Sequence, residues 1–288
     1  MARLRSGELG NRIMRVISNP DLSVHCTSRE FVHAFGTLVS KISQTPLITR
    51  GRVHAQDVST RPEFDTHELS NVTLTMNVPA TMQVLQNDVA PNLPWAEDHF
   101  QERVSGKPLN PAPSEAWWPF AQQGNKEHKE SEVFSHTYPE RMWPKWANGK
   151  DIPRNPKMHQ GIRYRYGDLN DLVNLLVRDP FTRQAYLPIW FPEDTGSVNG
   201  QRVPCSLGYH FIRRGLYLDG QYYMRSCDLF RHFTDDVYMA GRLLQWVCEQ
   251  LWERDDQLGQ DYYPFVGCLT MYISNLHCFR GDEYRLKT

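Results

Sequence analysis

Apolar residues recur along this chain at two spacings, and the spacings divide it into elements. In residues 28–43, Phe31, Phe35, Leu38 and Ile42 follow the period of one helix face, and Thr27 or Ser28 supplies an N-cap hydroxyl ahead of them. Residues 69–78 alternate instead, and Val72, Leu74 and Met76 predict a strand with one buried face. Pro94 opens a helix over 94–104 that Gly106 closes. Residues 169–177 form an amphipathic helix and 184–191 a buried strand. Residues 207–212 and 216–226 read as two strands about a tight Arg213-Arg214-Gly215 turn. Residues 235–252 set Val237, Leu243, Leu244, Val247 and Leu251 on one helical face, and 265–273 predicts a last strand. No internal repeat is present. The uneven mixture of strands and helices predicts an α+β fold.

The pattern breaks down over residues 107–160. This stretch is rich in proline, holds Trp117, Trp118, Trp143 and Trp146, and includes the charged run NKEHKESE. It reads as a long irregular excursion inside a single domain spanning 1–288. Its tryptophans argue against disorder, and loops of this length that stay ordered are commonly functional.

Composition narrows the function classes. With 40% hydrophobic and 23% charged residues, a sizeable core is expected. The formal net charge is -1, so the chain lacks the basic excess that holds a polynucleotide, whereas a single nucleotide needs only a few arginines. No apolar run long enough for a membrane span occurs, and residues 1–11 lack the apolar segment of a secretory signal. The six cysteines, Cys26, Cys205, Cys227, Cys248, Cys268 and Cys278, form no C-x-x-C pair, so neither a metal site nor a disulfide framework is expected, and reduced thiols in a cytoplasm are.

Several residues carry candidate chemistry. Cys205 follows Pro204 and precedes a strand; alone it reads as a small buried hydrophobe, and a nucleophilic role requires a cation nearby. Arg225, at the end of the paired strand, could supply that cation. Arg225 and Ser226 also suit an anion, a guanidinium gripping phosphate and a hydroxyl adding a donor. Asp235 and Asp236 stand where a helix opens, a place that favours aspartate for capping alone. Arg183, in the turn DPFTRQA, reads as a surface arginine by itself.

Taken together, VPCSLGYHF, YYMRSCDLFRHFTDDVYMAGRLL and SNLHCF resemble the thymidylate synthase superfamily, and within it the branch of deoxycytidylate hydroxymethylases found in phages. DPFTRQAYLPIW resembles that family's phosphate-binding turn; TRPEFDTHELSNVTLTMNVP and NLPWAEDHFQERVSG resemble, more loosely, its N-terminal strand and glutamate-bearing helix. The resemblance covers 161–280 well, 46–106 loosely and 107–160 hardly at all.

This resemblance implies a large mixed β-sheet with flanking helices, a sheet-to-sheet homodimer, a nucleoside monophosphate substrate and 5,10-methylenetetrahydrofolate as co-substrate. By the same resemblance Cys205 is the nucleophile that adds to C6 of the pyrimidine. Arg225 and Ser226 grip the phosphate, Arg183 reaches the neighbouring subunit's phosphate, and Arg61 is a mobile-loop phosphate arginine. Glu97 matches the proton-moving glutamate, with Glu102 as rival. His277 lies near the sugar, Tyr166 is an active-site tyrosine, and His210 stands in the substrate-binding strand where the family has glutamine. Trp117 and Trp118 are expected against the folate. Ser206, Gln184 and Phe279 replace a histidine, an arginine and a tyrosine of the synthases.

Asp236 stands where synthases carry asparagine. Cytosine presents an acceptor at N3 and a donor at N4, the reverse of uracil, so a carboxylate there favours a cytosine base. The resemblance therefore implies hydroxymethylation of dCMP at C5, with water capturing the methylene. A dCMP methyltransferase, a CMP-specific relative and a non-catalytic nucleotide-binding protein are the alternatives. The chain stops at Thr288, soon after His277, so a tail closing over folate is expected to be short or absent.

Overall fold

The structure is a computed structural model, and it describes residues 22–53, 56–119, 134, 136–144, 167–197, 203–256 and 263–287. Nine strands occur among these residues: β1 Leu22–Thr27, β2 Arg52–Val53, β3 Gln56–Asp57, β4 Thr66–Asn77, β5 Tyr186–Pro188, β6 Ser206–Arg214, β7 Tyr217–Met224, β8 Cys227–Asp228 and β9 Phe265–Phe279. Seven of them make one mixed sheet in the order β1-β4-β9-β7-β6-β5, with β8 pairing β9 beyond β7; β2 and β3 form a separate hairpin. The α-helices are α1 Phe31–Ile42, α2 Met82–Val89, α3 Trp95–Arg103, α4 Tyr138–Met142, α5 Leu169–Arg178 and α6 Phe233–Asp256. The fold is thus α+β, a large mixed open sheet flanked by helices.

The centre of the sheet is β9. It runs antiparallel to β4 on one side and parallel to β7 and then β8 on the other. The alternation read over 265–273 ends at Ser274 and Asn275, yet pairing with β4 carries the strand on to Phe279. This extension matters, because it places His277 opposite Asp228. The strand expected over 184–191 shrinks to Tyr186–Pro188 at the sheet edge. Pro188 has no N–H to continue a ladder, and the amides of Ile189 and Trp190 both turn onto the Leu207 carbonyl. The edge fits closely against its neighbour: a Cβ on Gly208 would lie 2.7 Å from the Leu187 carbonyl oxygen.

The sheet's two faces differ. Tyr209, Phe211, Leu218, Tyr222, Met224, Leu269, Met271, Val72, Leu74 and Met76 are buried with α6, whose Val237, Leu243, Leu244, Val247 and Leu251 form the expected apolar stripe. Each such side chain stabilises the fold by roughly 1.5–3 kcal/mol on burial. The opposite face carries Tyr186, His210, Gln221, Tyr223, Thr270 and Tyr272, all partly or well exposed. The Tyr223 and Tyr272 rings stack there at 5.0 Å, and Tyr186 meets His210 edge-on at 6.0 Å.

The helix expected over 28–43 begins as a 3-10 turn at Ser28–Glu30, where the Glu30 carboxylate accepts from the Thr27 amide at 2.8 Å. The helix over 94–104 is α3. Within 107–160 the described residues are less irregular than expected. Pro113–Trp117 is a 3-10 turn, and α4 starts at a Thr137 cap. Trp143 is buried, its indole donating to the Arg103 carbonyl at 2.8 Å. Trp146 and Tyr166 lie outside the described residues. No helix among the described residues is long and apolar enough to cross a membrane.

Candidate active site

The C-terminal end of β7 and the N-terminal end of β6 bring Cys205 and Arg225 together. The Arg225 amide donates to the Cys205 carbonyl at 2.9 Å, so the two strand ends are joined by backbone. The Arg225 side chain then folds back. Nε donates to the Pro204 carbonyl at 2.8 Å, and Nη2 to the Val203 carbonyl at 3.1 Å, with the Cys205 Sγ 3.9 Å from Nη2. The thiol is half-buried. A guanidinium at this range is the kind of neighbour that favours a thiolate. Arg225 has no carboxylate partner among the described residues, so its charge is not neutralised there.

Ser226 follows, its hydroxyl 3.3 Å from Nδ1 of His277. The β8–β9 register and the Leu229 amide, which donates to the His277 carbonyl at 2.8 Å, hold this histidine. Desolvation, then the charges of Arg50, Arg231 and Arg225, push its pKa down to about 4. The ring is therefore a neutral imidazole near neutral pH. Arg231 is spoken for by Asp282 at 2.7 Å, and Arg50 pairs with Glu68. Arg285 donates to the Phe230 carbonyl at 3.1 Å, so the 3-10 turn Arg280–Lys287 is pinned to the loop ahead of α6.

Asp235 and Asp236 begin α6 and diverge. Asp235 takes both donors of Asn92 at 2.8 Å, tying α6 to the segment before α3. Asp236 points at β8, where the Cys227 thiol donates to its Oδ2 at 3.5 Å. Burial pushes the Asp236 carboxyl up to about 7, with the positive charge of Arg103 opposing. Asp228 behind it is pushed up to about 6, again by burial, while the amides of Phe230 and Arg231 donate to it.

Arg103 was not expected here. It ends the buried stripe of α3, after Trp95, Ala96, His99 and Phe100, and is only 3% exposed. Its guanidinium lies 4.1 Å over the Tyr138 ring, and its Nε has no hydrogen-bond partner. Tyr138 approaches Ser206 at 3.2 Å, Ser206 also bonds the Tyr222 hydroxyl, and Tyr222 stacks on Tyr209 at 4.3 Å. Three tyrosines and Arg103 thus form a buried polar group around Ser206, the residue next to Cys205, and the charge of Arg103 reaches Asp236. A charged residue at the i, i+4, i+8 positions of an apolar helix face was the sequence signal for Arg103. Tyr138 lies in the excursion, where no periodicity marked it.

Other expected residues sit apart. The Glu97 carboxylate is held by Arg242 at 3.2 and 3.3 Å, by Gln101 at 2.7 Å and by the Tyr238 hydroxyl. Glu102 accepts from the Ser114 amide at 2.7 Å and lies 3.5 Å from His99. Neither carboxylate bonds Cys205, Arg225 or Asp236 among the described residues. Arg61 pairs with Glu63 at 2.9 Å and lies over Phe64, whose ring meets Phe279, which in turn meets His277. Arg50, by contrast, lowers the His277 pKa by its charge, and no motif along the chain marks it. Arg183 is exposed, its carbonyl is 3.1 Å from His210 Nε2 on the open face, and no contact with Cys205 occurs among the described residues.

Trp118 stacks on His232 at 4.6 Å and 10°, and the His232 carbonyl accepts from the Asp236 amide at 2.7 Å. Trp117 beside it is 44% exposed. All six cysteines are free thiols, and no group of three His, Cys, Asp or Glu side chains poised for a metal occurs among the described residues. A scan against protein-family models finds no match for this chain, and a search of curated proteins finds none either.

Proposed function

We propose that this chain is an enzyme of the thymidylate synthase type that hydroxymethylates C5 of dCMP. The observation that carries the reading is the pairing of Cys205 with an arginine whose charge no carboxylate among the described residues takes up, at one end of a site whose other end is a buried carboxyl. Such a site suits a small molecule with an anionic tail and a hydrogen-bonding ring.

The Cys205 sulfur adds to C6 of the base, which makes C5 nucleophilic. C5 gains a carbon, loses its proton, and water adds to the exocyclic carbon as the C6–S bond breaks. Overall, dCMP, methylenetetrahydrofolate and water give 5-hydroxymethyl-dCMP and tetrahydrofolate. The folate supplies one thing, a carbon at the oxidation level of formaldehyde. The aromatic faces of Trp117 and Trp118, beside the first turn of α6, fit a flat heteroaromatic co-substrate and would hold it. Arg225 and Ser226 bind the phosphate. Asp236 accepts from N4 and shares a proton with N3. His277, neutral and held toward Ser226, is a base available to the sugar or to water.

The open sheet face, with Tyr186, Tyr223, Tyr272 and His210, supports a homodimer packed sheet to sheet. Arg183 lies exposed beside it, where a second subunit's phosphate would come within reach. A cytoplasmic setting, with its nucleotide pool, suits this reading. The test is incubation with dCMP, CMP or dUMP and methylenetetrahydrofolate, with products identified by mass. The expected result is 5-hydroxymethyl-dCMP with tetrahydrofolate. Equal amounts of 5-methyl product and dihydrofolate would make the chain a methyltransferase instead. No turnover of any nucleotide, with nucleotide still bound, would make it a binding protein.

A further inference from the structure

We propose that Cys227 is a positioning residue for base choice: its thiol, donating to Oδ2 of Asp236, holds that oxygen as an acceptor and leaves the carboxyl's proton to Oδ1, which fixes the order of donor and acceptor that a base meets. The inference rests on the reading above, in which Asp236 meets the base edge, and deepens it. It begins from a contact. The Cys227 thiol is buried in β8, which β9 holds in place, and its Sγ lies 3.5 Å from Asp236 Oδ2. The Asp228 carbonyl, its other acceptor, is farther away at 3.8 Å. Oδ1 of Asp236 accepts from no donor among the described residues, and the residue keeps 9% of its surface exposed. The carboxyl is thus divided into one oxygen already engaged and one left for a ligand.

A carboxylic acid has one donor and one acceptor, and by itself it presents them in either order. Such an acid serves cytosine, whose N3 accepts and whose N4 donates, and it serves uracil, whose N3 donates and whose O4 accepts. The thiol removes this symmetry. It is met well by a carbonyl oxygen and poorly by the hydroxyl oxygen of an acid, so the proton belongs on Oδ1. Set opposite N3, Oδ1 donates to cytosine, while Oδ2 accepts from N4 and keeps the thiol on its second lone pair. Uracil in the same place sets donor against donor at N3 and acceptor against acceptor at O4. To admit uracil the proton must move to Oδ2, and the thiol then loses its good acceptor. Without the proton, the carboxylate leaves cytosine N3 unmatched and opposes uracil O4.

The surroundings supply that proton. Burial pushes the Asp236 carboxyl up to about 7, against the charge of Arg103 on α3 and the Cys227 contact, while Asp235 of α6 and Asp228 of β8 add to the rise. Tyr138 of α4, Tyr209 of β6 and Tyr222 of β7 are pushed upward by burial and stay neutral. Burial also pushes the Cys227 thiol well above its usual range, so it remains a donor. Below pH 7 the free site already holds the proton. Above it, dCMP must bring one proton from solution, and its affinity falls toward tenfold per pH unit.

The test uses the full chain as wild type, Cys227→Ala and Cys227→Ser. Affinities for dCMP and dUMP are measured by calorimetry from pH 6 to 9. The S–H stretching band of Cys227 is followed by infrared difference spectroscopy without nucleotide, with Cys227→Ala identifying it. At pH 6 the ratio of dCMP to dUMP affinity should fall by roughly three- to tenfold in Cys227→Ala, the worth of one hydrogen bond, mainly through tighter dUMP. Cys227→Ser, whose hydroxyl also donates, should keep the ratio of wild type. The S–H band of wild type should shift as Asp236 titrates. An unchanged ratio in Cys227→Ala would overturn the proposal, and so would equal weakening of both nucleotides, the mark of a merely structural residue. Should the alanine variant fail to fold, a ratio lost in Cys227→Ser or an S–H band that ignores the titration would overturn it as well. If wild type binds neither nucleotide, the functional reading fails and takes this inference with it. If wild type and Cys227→Ala discriminate alike, this inference alone fails.

Discussion

At one end of the site, Arg225 carries its charge beside Cys205 on two backbone carbonyls, with no carboxylate near it among the described residues. At the other end, the Arg103 guanidinium and the Asp236 carboxyl are both buried, with no ion pair between them among the described residues and three tyrosines close by. The first end is half-buried and built from strand termini, so it can take an anion in exchange for water. The second is closed, and under the proposed function a base edge there would be read by which atoms donate and which accept. An arginine that still reaches solvent can exchange water for an anion; one that is sealed in cannot, and the Arg103 Nε is left without a hydrogen-bond partner.

The largest effect that would break this contrast is at the nucleophile. Cys205→Ala should abolish turnover while dCMP still binds, because both ends remain intact. Substantial turnover by the alanine variant, measured by product mass, would remove Cys205 from the mechanism. Next comes base choice. Asp236→Asn should weaken dCMP and favour dUMP, and a mismatched buried pattern can be worth a factor on the order of 10⁴ in kcat/KM. An unchanged preference would leave Asp236 as a helix-opening acid only.

The buried end also makes a stability prediction. A carboxyl raised from 3.8 to about 7 destabilises the fold by roughly 4 kcal/mol at most, once the pH exceeds both values. The sign follows from proton binding: between those values the folded state holds the proton that the unfolded state has released. Asp236→Asn should therefore raise the melting temperature at pH 8 and leave it nearly unchanged below pH 4. Equal shifts at both pH values, seen by calorimetry, would mean that the carboxyl is not desolvated. At the half-buried end, Arg225→Ala should weaken dCMP binding by roughly 10- to 100-fold and deoxycytidine binding hardly at all. Equal weakening of both would take Arg225 off the phosphate. Finally, Arg183→Ala mixed with Cys205→Ala should recover partial activity if Arg183 serves the neighbouring subunit. No recovery after proven subunit exchange would confine it to its own.

The half-buried end was the more legible in the sequence. Cys205, Arg225 and Ser226 lie at strand ends whose alternation is visible, and pairing of β6 with β7 brings them together, whereas His277 lies past the visible alternation of β9 and is marked by the family resemblance alone. The closed end was only half legible. Asp236 showed itself at a helix start, but Arg103 and Tyr138 reach it from α3 and α4, and tertiary packing alone makes that meeting. Glu97 and Glu102 illustrate the converse. Both sit on the expected helix, yet Arg242 takes one and Ser114 the other, contacts that no spacing along α3 announces; only His99, one turn before Glu102, is a partner that helical spacing offers. In the fold, β1 is short although Leu22, Val24 and Cys26 alternate with polar residues, and α2 spans only Met82–Val89, so neither stands out along the chain. The end of β9 does not either, because Ser274 and Asn275 interrupt the apolar alternation that pairing with β4 overrides.

The most direct test of the central claim is release of tritium from dCMP labelled at C5. Attack by Cys205 on C6 followed by carbon transfer must expel the C5 hydrogen, whatever the later fate of the new carbon. With methylenetetrahydrofolate present, wild type should release tritium to water and Cys205→Ala should release none. Retention of the label by wild type while dCMP is bound, or equal release by the alanine variant, would contradict the account.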